Sequence, residues 1–181
     1  DLDALSTLPP RELRCGRGEM AKYHFLTGDD LLSMSEAERI ARCVQIKADV
    51  VADDEREGGR RALLNYGHTL AHALEIETNY ALAHGEAVAI GLVYAAHLAH
   101  RLGRISSERV QRHYDIVGGV YELASDLPAG ISRERLVHLM GFDKKVRGDG
   151  LTFVLDGPNG VEVVAGVSAS DAFAALEEMR A

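Results

Sequence analysis

Residues 61 to 75 read RALLNYGHTLAHALE, a mostly apolar stretch that carries Arg61, Asn65, His68 and His72 at steps of four, three and four. On a helix turning about 100° per residue, those steps gather all four within roughly 60° of one another. Leu63, Leu64, Leu70, Ala71 and Leu74 fill the other sides. An ordinary surface helix spreads Lys and Glu over a broad arc. This stretch confines a cation, an amide and two imidazoles to one stripe. Such groups coordinate metals, hold anions or move protons near neutral pH. Their concentration points to a site rather than to a wet face.

His68 and His72 have the i, i+4 spacing of a helical zinc pair, but position 69 is Thr, so HExxH is absent. His84, in LAHGEAV, opens the next apolar helix, and Glu19, in GRGEMAKYHF, can add an oxygen. Two His and one Glu make a catalytic zinc set with a position left for substrate. Spacing leaves open which two histidines bind. Lys47 lies on one stripe with Ile40, Val44 and Val51, so it either snorkels to solvent, the commoner reading for a lone Lys, or points into a pocket. Lys22 falls one turn after Glu19, and by spacing alone it reads as a surface ion pair worth little. Lys144 and Lys145, in GFDKKVRGDG, are a solvated charge run or an anion-binding loop. GRGEMA matches G-x-G-x-x-A, but PPRELRC precedes it where a dinucleotide fingerprint needs a buried strand, so the match is rejected. His24, His97, His100, His113 and His138 read as surface or core histidines.

These residues must be positioned by a chain of 181 residues, 46% hydrophobic and 27% charged, with a net charge of −8. That length supports one good-sized core or two small ones. The acidic balance argues against a general nucleic-acid binder. Cys15 and Cys43, far apart and outside any CxxC, suggest neither a disulfide scaffold nor a zinc finger, and a reducing cytoplasm fits. No apolar run approaches the roughly 20 residues of a membrane span, and no secretory signal opens the chain. The opening DLDALSTLPP has no initiator Met and reads as a chain entering mid-protein.

The pattern predicts a lead-in closed by Pro9-Pro10 and helices over about 11–26, 36–53, 60–77 and 85–102. Two shorter helices with Ser starts follow in SSERVQRHYDIVGG and SRERLVHLMGF. LTFVL and VEVVA flank DGPNG as a β-hairpin, and SASDAFAALEEMRA closes the chain as a capped helix. The expected fold is mainly α, one domain over 1–181, with one small hairpin.

GEMAKY, QIKADVV, RALLNYGHTLAHALE, LAHGEAVAIG and DKK, in this order, resemble the C-terminal half of the 3-dehydroquinate synthase family of sugar-phosphate cyclases. The resemblance covers essentially the whole chain. It departs where GEMAK replaces the usual AEVIK and HTLAHALE replaces HTFGHAIE, changes confined to packing residues. It implies a helical metal-binding domain that works with an N-terminal NAD-binding α/β domain not present in this chain. Glu19, His68 and His84 would hold Zn2+ or Co2+, and His72 would be no ligand but would stand beside the substrate. Lys22, Lys47, Asn65 and His72 would do catalytic work, and Lys22 would also serve the cofactor. Arg61, Lys144 and Lys145 would join Lys47, Asn65 and His72 in binding substrate. The implied reaction turns 3-deoxy-D-arabino-heptulosonate 7-phosphate into 3-dehydroquinate and phosphate, with NAD+ used and restored, in the shikimate pathway.

Rival readings are sister cyclases making 2-deoxy-scyllo-inosose or valiolone rings, whose substrates lack the carboxylate, and metal-dependent alcohol or glycerol dehydrogenases, which would release NADH. A further reading, expected to hold for the isolated polypeptide, is a non-catalytic helical module that binds metal without turnover. Dimerisation through helices fits the family, and no residue here specifies it.

Overall fold

A computed structural model describes residues 2–53, 59–142 and 150–179, apart from the Phe142 side chain. After a 3-10 turn over Leu2–Thr7, the helices are α1 (Pro10–Leu26), α2 (Glu36–Asp53), α3 (His68–Glu77), α4 (His84–Arg101), α5 (Ser107–Tyr114), α6 (Arg133–Phe142) and α7 (Ala169–Glu178). Strands β1 (Leu151–Leu155) and β2 (Glu162–Val167) form the antiparallel hairpin, with Phe153 opposite Val164 and Leu155 opposite Glu162. The mainly helical expectation holds. Pro10 starts α1, where its missing N–H costs nothing. Ser106 and Ser168 cap α5 and α7 by accepting the amides of Arg109 and Asp171. Among the described residues no helix is long and apolar enough to cross a membrane.

The uniformly apolar α4 runs through the middle. Ala87 to Ala96 along it are all buried, and α1, α3, α5, α7 and β1 pack around it. Two of these contacts are so close that only glycine fits. A Cβ on Gly18 of α1 would lie 1.9 Å from the Gly85 carbonyl oxygen, and one on Gly85 would lie 1.9 Å from that of Cys15. GRGEMA is therefore a helix-crossing surface, not a nucleotide loop. The other contact lies on the opposite flank, where a Cβ on Gly91 would meet the Gly67 carbonyl oxygen at 2.0 Å.

Gly67 also corrects the sequence reading. The segment 60–77 is not one helix. Arg60–Asn65 is a 3-10 turn, Gly67 takes a left-handed φ of 82°, and α3 begins afresh at His68. Only glycine enters that conformation cheaply while its backbone lies against Leu92. The helical wheel that grouped Arg61 and Asn65 with the histidines does not apply, although Arg61, Asn65 and His68 still line one cavity and His72 the one beside it. The stripe of Ile40, Val44, Lys47 and Val51 is likewise not the packed face of α2. Val44 is 64% exposed, and Cys43, Ile46 and Val50 are buried instead.

His113 is a core histidine. It is fully buried, its Nδ1–H donates to the Arg109 carbonyl at 2.8 Å, and its Nε2 accepts from the Tyr66 hydroxyl at 2.7 Å. Phe25 stacks on the ring at 3.8 Å. Burial pushes its pKa down to about 4, against smaller upward pulls from the Arg109 carbonyl and Asp156, with Arg109 and His97 adding to the fall. The unfolded chain, with an imidazole near 6.5, therefore takes up a proton first as pH drops. Stability conferred by the neutral ring is complete above about 6.5 and lost on the way down to about 4, a fall of roughly 3 kcal/mol. Urea unfolding at pH 7 and pH 4.5 should show this loss, and His113→Gln should shrink it, leaving the part contributed by His24, whose pKa burial also lowers to about 4. An unchanged pH dependence in that variant would remove His113 as its source.

Candidate metal and substrate site

The α1–α4 crossing sets Glu19 beside His84, because each follows or precedes a glycine at the contact. The α3 start, fixed by Gly67, brings His68 to the same point. His68 and His84 are the first residues of their helices. One ligand atom from each of Glu19, His68 and His84 lies within 4.8 Å of the others. His84 Nε2 stands 3.1 Å and His68 Nε2 3.4 Å from Glu19 Oε1.

The other end of each imidazole is occupied. His68 Nδ1 faces the Tyr66 carbonyl at 3.1 Å, and His84 Nδ1 faces Glu75 Oε1 at 3.1 Å. Both partners only accept, so each Nδ1 carries the proton and each neutral ring turns an Nε2 lone pair toward Glu19. Glu19 Oε2 takes a hydrogen bond from Lys22 Nζ at 2.7 Å. Glu19 Oε1 is buried without a hydrogen-bond partner among the described residues. Three acceptors thus converge with no donor between them. A divalent cation of zinc type satisfies such a set and leaves a coordination position open. The donor set fits the metal.

Burial alone would raise the Glu19 pKa, but in the metal-free site a proton on His68 Nε2, together with the Lys22 ammonium, outweighs it and holds the carboxyl well below the usual range. Lys22 is no surface partner. It is 4% exposed and donates to the Leu64 carbonyl at 3.0 Å as well as to Glu19. Its own pKa is lowered by burial, which outweighs the support from Glu19. Two of its three N–H groups are used in this way, one on the Glu19 carboxylate and one on a backbone carbonyl.

Glu19, Lys22, Lys47, Arg61, Asn65, His68 and His84 line one cavity of about 490 Å³. Seven of the candidate residues, drawn from four separate stretches of sequence, therefore meet in one place. His72 is exposed and lies in the adjoining cavity of about 470 Å³, which shares Asn65 and His68 and has walls from Leu139, Met140, Phe153 and Val154. Its ring centroid is 5.7 Å from that of His68, and it is not among the clustered ligand atoms. Lys144 and Lys145 lie outside the described residues. Sequence reasoning missed Glu75. The signal was present, since Glu75 falls two turns after His68 on the same face of α3.

The fold and this site define a helical domain that carries a Glu–His–His cluster under a cationic cavity. A family model for the C-terminal domain of 3-dehydroquinate synthase matches residues 16–146, and the chain belongs to that family. A 3-dehydroquinate synthase of Rhizobium meliloti (strain 1021) is 43% identical over 185 residues, which is 91% of this chain and 49% of that protein. A protein of Amycolatopsis mediterranei (strain S699), provisionally named aminodehydroquinate synthase, is 50% identical over 99% of this chain and 50% of its own length. A crystal structure of 2-deoxy-scyllo-inosose synthase with carbaglucose-6-phosphate, NAD+ and Co2+ has a TM-score of 0.85 at 24% identity, over 99% of this chain and 55% of that one, and shows the same fold. The chain spans about half the length of the curated relatives it matches.

Proposed function

We propose that this chain is the metal- and substrate-binding half of a cytoplasmic 3-dehydroquinate synthase. It completes its active site with an N-terminal NAD-binding domain and converts 3-deoxy-D-arabino-heptulosonate 7-phosphate to 3-dehydroquinate and phosphate in the shikimate pathway. The observation that carries this reading is the meeting of the Glu19–His68–His84 cluster with Lys22, Lys47 and Arg61 in one cavity. Zinc or cobalt held by those three residues would polarise a substrate hydroxyl and ease its oxidation by NAD+. Lys47 and Arg61 bind the substrate's carboxylate and phosphate charge, with Lys144 and Lys145 assigned to the same task. Lys22 holds Glu19 in register. Asn65, on the wall common to both cavities, orients hydroxyl groups. His72, exposed beside His68, moves a proton to or from the substrate.

The test is to reunite the chain with its N-terminal half and supply the heptulosonate phosphate, NAD+ and zinc. The expected result is dehydroquinate and phosphate with no net NADH, while the 181-residue chain alone gives none. Net NADH would favour a dehydrogenase and overturn the reading. A second reading is a synthase acting on an aminated analogue of the same substrate. It is favoured by the 50% identity to the Amycolatopsis protein, against 43% to the Rhizobium enzyme. Presenting both substrates to the reunited enzyme separates the two by their kcat/KM values.

A further inference from the structure

Glu75 belongs to none of the groups that line the cationic cavity. It sits at the C-terminal end of α3, and its side chain is only 16% exposed. Its Oε1 meets His84 Nδ1 at 3.1 Å across nine residues of chain. Unlike His68, whose Nδ1 is held by the Tyr66 backbone carbonyl, His84 has its Nδ1 held by a side chain. His84 is also the more exposed of the two imidazoles, at 39% against 12%, so less packing restrains it. An imidazole not held at Nδ1 is free to carry its proton on Nε2, where it would meet Glu19 as a donor and not as a lone pair.

We propose that Glu75 is a positioning residue that sets the tautomer and ring orientation of His84, and through it the affinity of the Glu19–His68–His84 cluster for zinc. The inference rests on the metal reading of that cluster. An outer carboxylate on a ligand histidine typically carries 10- to 100-fold in metal affinity. The effect belongs to the hydrogen bond and not to bulk charge, so a neutral acceptor preserves most of it.

The experiment measures Zn2+ affinity of the 181-residue chain by competition with a chromophoric chelator, for wild type, Glu75→Gln and Glu75→Ala. The zinc-free imidazole 15N shifts of His84 are recorded beside it. The expected result is a 10- to 100-fold weaker affinity in Glu75→Ala and a loss of under about tenfold in Glu75→Gln. In the zinc-free proteins, His84 carries its proton on Nδ1 in wild type and Glu75→Gln, and shifts toward Nε2 in Glu75→Ala. Far-UV circular dichroism of the three should coincide, which a merely structural role for Glu75 would not give. Wild-type affinity in Glu75→Ala, or an unchanged His84 tautomer, overturns the inference and leaves the metal reading standing. If wild type itself takes up no zinc, the metal reading falls and this inference with it.

Discussion

Zinc binding should vanish in His68→Ala, His84→Ala and Glu19→Ala and persist in His72→Ala. Each of the first three variants removes one of three protein donors whose atoms lie within 4.8 Å of one another. Loss of an outer-shell partner alone costs 10- to 100-fold, so loss of a direct donor should cost more than about a hundredfold. His72 is exposed and outside the cluster, so its removal should leave affinity within about threefold, a margin of roughly 0.6 kcal/mol at RT per e-fold. Equilibrium dialysis with metal analysis reads both outcomes directly. If His72→Ala abolished binding while His84→Ala did not, the i, i+4 pair would be the metal site and the inherited ligand set would fail.

The second large effect concerns the α1–α4 crossing. Gly18→Ala and Gly85→Ala should each lower stability by about 3 kcal/mol or more, at the upper end of what overpacking costs. In both cases the new methyl would meet a backbone carbonyl oxygen at 1.9 Å, and no side chain can rotate out of the way. The helices would have to separate, which strips contacts along the buried length of α4. For a domain of this size that corresponds to a fall in Tm of about 6 °C or more. Gly16→Ala is the control. It lies in the same helix, nothing stands within 4 Å of its Cβ position, and it should gain up to about 1 kcal/mol from helix propensity. Thermal unfolding of the three variants gives the comparison. Tolerance of Ala at position 18 or 85 would mean that the helices do not touch there.

Much of this was legible in the sequence because period and capping are local signals. The apolar run of α4, the Ser caps at 106 and 168 and the DGPNG turn each state their structure within a few residues. The histidine stripe also announced itself, although by way of a helix that does not exist as one piece. Gly67 was invisible as a break because a glycine inside a periodic stretch costs only about 1 kcal/mol and does not forbid a helix. The residues its backbone lies against, Gly91 and Leu92, are more than twenty residues away in sequence. Burial of Lys22 was illegible for the same reason, since the Leu64 carbonyl that receives it belongs to another segment. Glu75 and His84 are close in sequence, but only the turn between α3 and α4 decides that they face each other.

The glycine contacts have a bearing on how freely this protein can vary. Where helices are held apart by side chains, each change of core volume shifts the spacing and everything mounted on it. Here α1 and α4 rest backbone on backbone, and so do Gly67 and Gly91, at points one residue from Glu19, His84 and His68. Those stops contain no rotamers to adjust. The interior around α4 can therefore exchange one aliphatic residue for another over generations, or in a designed library, while the three donor atoms keep their separation. Drift in the core and constancy at the cluster are compatible because different parts of the chain carry them.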